Sequence, residues 1–238
     1  MKTLCVIPAR AGSKRLSRKN MRLLGDKPLV AWAIEAARRA SRLSRVVVSS
    51  NDAEVLEVAR AYDSNLPLAR PAELAADDSP AIDYVRHALV ALEGKGQGPF
   101  EAVVILQPSS PFTLAEDIDA TVDLLAASAA DTAVSVVQLD HAVHPLKMKI
   151  LDGDRLLPYL EEERGRMAAH ELPTIYVRNC SVYATRRPVI DRGQVIGDDC
   201  RGYVMPRERS LDINEELDLL FAEFLLTRRG AVTLNDAT

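Results

Sequence analysis

Hydrophobic and polar positions along this chain switch repeatedly between two periods. Residues 3–7 are a short, apolar, β-branched run that breaks at Pro8, which predicts a buried strand. Residues 28–40 open on Pro28 and carry apolar side chains at helical spacing, so a helix with proline in its first turn is expected. Residues 45–50 predict a second buried strand, and 51–62 a helix with an Asn/Asp cap backed by Glu54. The same rhythm continues with a helix at 79–92, a glycine-rich turn, a strand at 101–107, a helix at 114–127 and a strand at 132–138. Strands alternating with helices predict βαβ units, hence a mostly parallel sheet with helices on both faces. Ligands of such sheets bind at the carboxyl ends of strands, beside a switch in strand order. Segments 9–20, 49–52 and 107–111 fall at those ends.

The pattern changes over 139–185. Two strand-like pieces (146–151 and 175–184) flank an acidic stretch at 155–166 that is expected to be helical, with Pro145, Pro158 and Pro173 between them. So short a segment can hardly bury its own core. We expect an inserted α+β arm that completes a dimer, set into one α/β domain made of 1–138 and 186–238. Residues 211–229 predict a closing helix.

Composition adds little until it is localised. The chain has 238 residues, 47% hydrophobic and 27% charged, which is ordinary for a globular protein. Lys and Arg number 30 against 34 Asp and Glu, a net charge of −4 that argues against nucleic acid as a partner. Cys5, Cys180 and Cys200 cannot all pair and form no CxxC motif, so free thiols of a reducing cytoplasm are expected. No apolar run approaches the roughly 20 residues that span a bilayer, so no membrane partner is expected.

The global charge conceals a local one. Residues 9–20, ARAGSKRLSRKN, hold five cations (Arg10, Lys14, Arg15, Arg18, Lys19) and no acid. A turn with Gly12 and Ser13, directly after a buried strand, offers free backbone N–H groups and converging charge, as a polyphosphate requires. It is not a Walker A loop, because GxxxxGK[ST] is absent. A solvated basic loop is the plainer alternative. Gln107 ends a buried strand, where glutamine is rarely placed without a partner; it binds either a ligand or its own loop.

PARAGSKRLSRKN resembles the PARxGSKxxxxKN signature of the acylneuraminate cytidylyltransferases. The likeness continues in order through RPAELAADDS (70–79), ILQPSSPF (105–112), HP (144–145), LPTIYVRN (172–179) and SLDINEELD (210–218). The resemblance implies a three-layer α-β-α nucleotidyltransferase that uses Mg2+ and CTP to activate a 2-keto sugar acid as its CMP derivative. By the same resemblance Arg10 and Lys19 hold the triphosphate with Gly12, Ser13 and Lys14. Asn20, Arg70, Asp77 and Ser79 bind the nucleotide, and Gln107, Ser109, His144 and Asn179 the sugar. Asp212 binds metal, with Asn214 an indirect ligand at most. Many relatives carry a second aspartate where this chain has Asn214, and either residue equally suits the cap of the following helix. This chain also has Ala169-His170 and Asn179-Cys180 where relatives often carry Arg and Gly. Lys147 and Lys149, or Arg207 and Arg209, are candidates for the sugar carboxylate.

Overall fold

A computed structural model describes residues 1–160, 168, 170 and 172–235 of the chain. Strand β1 (Thr3–Pro8) lies inside a seven-stranded sheet because neither of its faces is polar. Leu4 and Val6 pack in a cluster on one side, Cys5 and Ile7 in a cluster on the other, and all four are fully buried. A small hairpin of β2 (Leu23–Leu24) and β3 (Lys27–Pro28) turns at Gly25, whose φ of 64° favours glycine. It leads into α1 (Leu29–Arg39), with Pro28 at its N-cap.

The chain then runs outward through β4 (Arg45–Ser50), α2 (Ala53–Tyr62) and β5 (Pro67–Ala69), each strand parallel to the one before. The side chain of Asp52 caps α2 by accepting the Glu54 N–H. Helix α3 (Ala81–Glu93) carries the chain back to β6 (Ala102–Leu106), which pairs on the opposite side of β1. Strand order therefore reverses between β1 and β6, and the loops leaving their carboxyl ends face one crevice. Helix α4 (Ala115–Ala127) and strand β7 (Thr132–Gln138) follow. The complete order is β11-β7-β10-β6-β1-β4-β5. Side chains of α1, α2 and α4 pack on one face of the sheet, those of α3 and α5 (Arg187–Asp191) on the other, as three layers require.

The arm departs from expectation in two ways. Residues 149–152 and 155–158 form an exposed hairpin, β8 (Lys149–Asp152) and β9 (Arg155–Pro158), turned by Gly153 at φ 63°. A strand thus occupies the start of the stretch expected to be helical; residues 161–166 of that stretch lie outside the described residues. More consequential is β10 (Tyr176–Arg186), which runs antiparallel between β6 and β7 inside the main sheet. Its Ser181, Val182 and Ala184 are fully buried and its Thr185 nearly so, which suits a central strand and not an arm. The expected boundary at 185 therefore moves back to about 175. Beyond it, β11 (Cys200–Val204) pairs with β7, and α6 (Glu216–Asn235) begins five residues later than expected.

A third apolar cluster joins Leu16, Leu24, Leu29, Phe112, Ile213, Leu219 and Ala222. It fixes the loop after β1 against the segment before α6, two stretches nearly 200 residues apart in sequence.

Candidate active site

The loop after β1 is held by its backbone, leaving its charges free to face outward. The Ala9 N–H donates to the Ser49 carbonyl, the Ala11 N–H to Asn51, and the buried Asn20 amide to the Arg10 carbonyl at 3.0 Å. Gly12 sits at φ 82°, the left-handed region that glycine tolerates. Arg10, Ser13, Lys14, Arg15, Leu16 and Lys19 then line a cavity of about 370 Å³, closed by Asp77 and Asn214. Arg18 is not among them; it pairs with Glu54 of α2. Asp77 bridges Arg10 at 2.8 Å and Lys14 at 2.5 Å, and these two cations hold its carboxyl below the usual carboxylate range. Burial pushes the Lys19 ammonium below its ordinary pKa, with Asp212 working in the opposite direction. Its Nζ donates to the Ile213 carbonyl at 3.0 Å, so the ammonium is aimed and not merely tethered.

A second cavity of about 310 Å³ shares Arg10, Ser13 and Lys19 with the first. It adds Asn20, Arg70, Ser79, Tyr84, Gln107 and Ser109. Arg70 leaves the end of β5 and is only 5% exposed. Its Nε and Nη2 donate to the hydroxyl and carbonyl of Ser49 at 3.0 and 2.9 Å, and its guanidinium lies 4.5 Å from the Tyr84 ring centre. Desolvation lowers its pKa to about 10, which still leaves it charged at neutral pH. Arg70 is thus a buried planar cation and not a surface arginine capping the Pro71 turn. Ser79 donates to the Glu73 carbonyl at 3.1 Å, which folds the 70–79 segment over the cavity. The Gln107 side chain takes no hydrogen bond from any described residue, so it does not tie down its own loop.

The segment 210–218 reaches this crevice from the far end of the chain. The Ile213 N–H donates to the Ser109 carbonyl at 2.8 Å, and the Ile213 side chain is fully buried. Asp212 Oδ2 accepts from the Asn214 amide at 2.8 Å, while Asp212 Oδ1 is buried without a partner. A buried anionic oxygen with nothing to accept from fits a hard cation such as Mg2+. Asn214 does not fit as a ligand, because its Oδ1 already accepts from Arg15 and Lys19. Neither residue caps the helix. Asp218 does so, accepting the N–H groups of Asn214 and Glu215 at 2.8 and 3.0 Å.

Residues 4–194 match the family described as cytidylyltransferase. This chain belongs to the cytidylyltransferase family. It is 34% identical over 234 residues to CMP-N,N'-diacetyllegionaminic acid synthase of Legionella pneumophila, covering 95% of this chain and 97% of that protein. It is 28% identical over 222 residues to the N-acylneuraminate cytidylyltransferase of Escherichia coli, covering 93% of this chain and 51% of that protein. Among solved structures, a CMP:2-keto-3-deoxy-manno-octonic acid synthetase complexed with CTP superposes with a TM-score of 0.70 at 17% identity. That likeness covers 96% of this chain and all of the other, and it confirms the three-layer nucleotidyltransferase fold.

Within this cytidylyltransferase, three expected sugar-side groups lie elsewhere. The Asn179 side chain is 5% exposed and spent on the fold: it accepts from Ser135 and donates to Met205 Sδ and Ser210. His144 lines a separate cavity of about 650 Å³ beneath the arm, its Nδ1 accepting the Leu146 N–H and its Nε2 buried without a partner. Arg209 is committed to the fully buried Asp117, while Arg207 is exposed, pairs with Asp140 at 3.0 Å and lines the cavity that holds His144. Cys180 adopts φ 57° where the β10 ladder slips between Arg178 and Tyr183, which is the backbone reason glycine suits this position. Arg15, counted among the five loop cations but given no role of its own, lines the first cavity, and Tyr84, which the sequence does not point to, lines the second. Arg15 was hidden among neighbouring cations, and Tyr84 looks like an ordinary apolar helix residue.

Proposed function

We propose that this cytidylyltransferase transfers CMP from CTP to the anomeric hydroxyl of a sialic-acid-like 2-keto sugar acid, a nonulosonate, and releases pyrophosphate. The observation that carries this reading is the pair of joined cavities at the switch point. One is lined by four cations and the other by a buried arginine on an aromatic ring. The names of the two relatives support the acceptor class.

Phosphate groups occupy the cationic cavity, where Arg10 and Lys14 replace their contacts with Asp77 by contacts to phosphate oxygens and Lys19, aimed by the Ile213 carbonyl, adds a third cation. The nucleoside lies over Arg70, Tyr84 and Ser79. The sugar sits past Gln107, whose free amide suits hydroxyl and N-acyl groups. The anomeric oxygen bonds to the α-phosphorus and gives its proton to solvent water, while the bond from that phosphorus to the bridging oxygen breaks and its electron pair leaves with pyrophosphate. The leaving pyrophosphate carries its new charge into the cationic cavity, where fixed positive groups stabilise it without reorganising. Asp212 holds Mg2+, which when bound polarises the phosphoryl oxygens.

We further propose that the enzyme is a homodimer in the cytoplasm. The arm hairpin supports the first, since Ile150, Leu151 and Leu156 are 50%, 67% and 68% exposed, a costly display for a lone chain. Three free cysteines support the second. Leu151→Asp with Leu156→Asp should halve the mass measured by light scattering. A substrate panel tests the reaction: pyrophosphate should appear with CTP and a nonulosonic acid, and far more slowly with other nucleotides. Faster turnover with 2-keto-3-deoxy-manno-octonic acid would reassign the acceptor.

A further inference from the structure

Strand β10 carries a bulge within the sheet, where its ladder with β7 slips between Arg178 and Tyr183. The Val182 N–H there donates to the Ser135 hydroxyl of β7 at 2.8 Å in place of a strand carbonyl. The same hydroxyl donates to Asn179 Oδ1 at 2.6 Å, and Asn179 Nδ2 donates to Ser210 Oγ at 2.9 Å. Ser210 in turn donates to the Pro206 carbonyl at 2.8 Å. The Asn179 amide is therefore oriented in one sense only, because the Ser210 proton is committed to Pro206 and its oxygen must accept.

This relay ends two residues before Asp212. On the other side of Asp212, the Ile213 N–H is held by the Ser109 carbonyl at 2.8 Å, and the Ile213 side chain is fully buried. Asp212 thus sits between two anchors, one of them Ser210. The far end of the relay is fixed as well, with Ser135 and Asn179 only 1% and 5% exposed. The bulge also meets the loop after β6, where the Ser110 hydroxyl donates to the Cys180 carbonyl at 3.3 Å. A carboxylate that binds a metal ion depends on the partners behind it to hold it where the ion requires. Asn179 lines neither of the joined cavities, so it can reach that chemistry only through Ser210.

We propose that Asn179 and Ser210 are positioning residues for Asp212: the amide, oriented by Ser135, fixes the turn that aims the carboxylate at the divalent ion. The inference rests on the metal-binding reading of Asp212 above and goes beyond it in naming what aims that carboxylate.

Three variants of the full chain separate position from stability. Ser210→Ala breaks the last link, and Ser210→Thr keeps its hydroxyl. Thr185→Val is the control; further along β10, it removes a 2% exposed hydroxyl that donates to the Val195 carbonyl at 2.6 Å. Electron paramagnetic resonance measures Mn2+ affinity in the presence of CTP, calorimetry measures CTP binding in EDTA, and pyrophosphate release gives kcat and KM. Ser210→Ala should weaken Mn2+ binding and lower kcat, each about tenfold. CTP affinity in EDTA and the KM for the sugar acid should stay within about twofold of wild type. Ser210→Thr should restore both losses. Asn179→Ala added to Ser210→Ala should cost little more Mn2+ affinity than Ser210→Ala alone, because the link is already broken. Thr185→Val should lower the thermal midpoint while leaving Mn2+ affinity unchanged. Wild-type Mn2+ affinity in Ser210→Ala, a loss that Ser210→Thr does not restore, or losses that multiply in the double variant would overturn the inference. So would an equal loss of Mn2+ affinity in Thr185→Val, since the effect would then follow stability. Mn2+ affinity in the wild type no tighter than in Asp212→Asn overturns the metal reading itself, and the inference falls with it.

Discussion

Asp117 and Asp77 each accept from an arginine, and they do opposite work. Asp117 is fully buried and its oxygens are saturated: Arg209 donates to both, at 2.9 and 2.7 Å, with Tyr203 and the Leu114 N–H completing the set. The pair ties α4 to the turn three residues before Asp212, so it sets where the catalytic segment begins. Asp77 is exposed and bridges two cations whose other faces line the cavity. A phosphate can replace it there at little cost, because an exposed pair contributes little to stability. Burial turns one carboxylate into a rivet, and exposure leaves the other a displaceable bridge between two cations.

The comparison breaks most visibly if the rivet is removed. Asp117→Ala leaves the partly buried Arg209 uncompensated and the Leu114 N–H without its acceptor, which should cost about 3–5 kcal/mol and lower the thermal midpoint on the order of 10 °C. A shift of a degree or two in a melting curve would mean the pair is not structural. On the open side, Lys19→Ala should reduce kcat/KM for CTP roughly 100-fold, since a cation is lost where charge develops. Its midpoint should stay within about 3 °C. Gln107→Ala sharpens the division further: the KM for the sugar acid should rise roughly tenfold while that for CTP stays put.

The smallest effect belongs to Asp77 itself. Asp77→Asn should move the midpoint by less than about 2 °C at neutral pH. Because the folded-state pKa of this carboxyl lies below its ordinary 3.8, whatever it contributes is present above that value and is lost as pH falls below it. The difference between variant and wild type should therefore vanish in acid. A difference that grows on acidification would contradict the bridge.

The same contrast explains what was legible in the sequence. The loop after β1 announces itself, because five cations without an acid next to a buried strand is a strong local departure from the average. Strand and helix alternation over the first half follows from local periodicity and placed Gln107 at a strand end correctly. Asn179 did not yield to such reading, since its partners Ser135, Met205 and Ser210 come from other parts of the chain. The helix cap was likewise hidden in Asp218, four residues past the asparagine that looked suited to it. Strand β10 was assigned to the arm because proline punctuation precedes it and its antiparallel neighbours are distant in sequence. Local charge and period are visible along a chain; the partners that saturate a buried polar group are not.

The central claim is that this crevice performs cytidylyl transfer with Asp212 as its metal-binding carboxylate. Pyrophosphate release from CTP and a nonulosonic acid, measured side by side for the wild type and Asp212→Asn, tests it most directly. Rapid release from the wild type, essentially none from the variant and thermal midpoints within a few degrees of each other is the predicted result. Equal release from both proteins, or none from either when both substrates and Mg2+ are supplied, would contradict it.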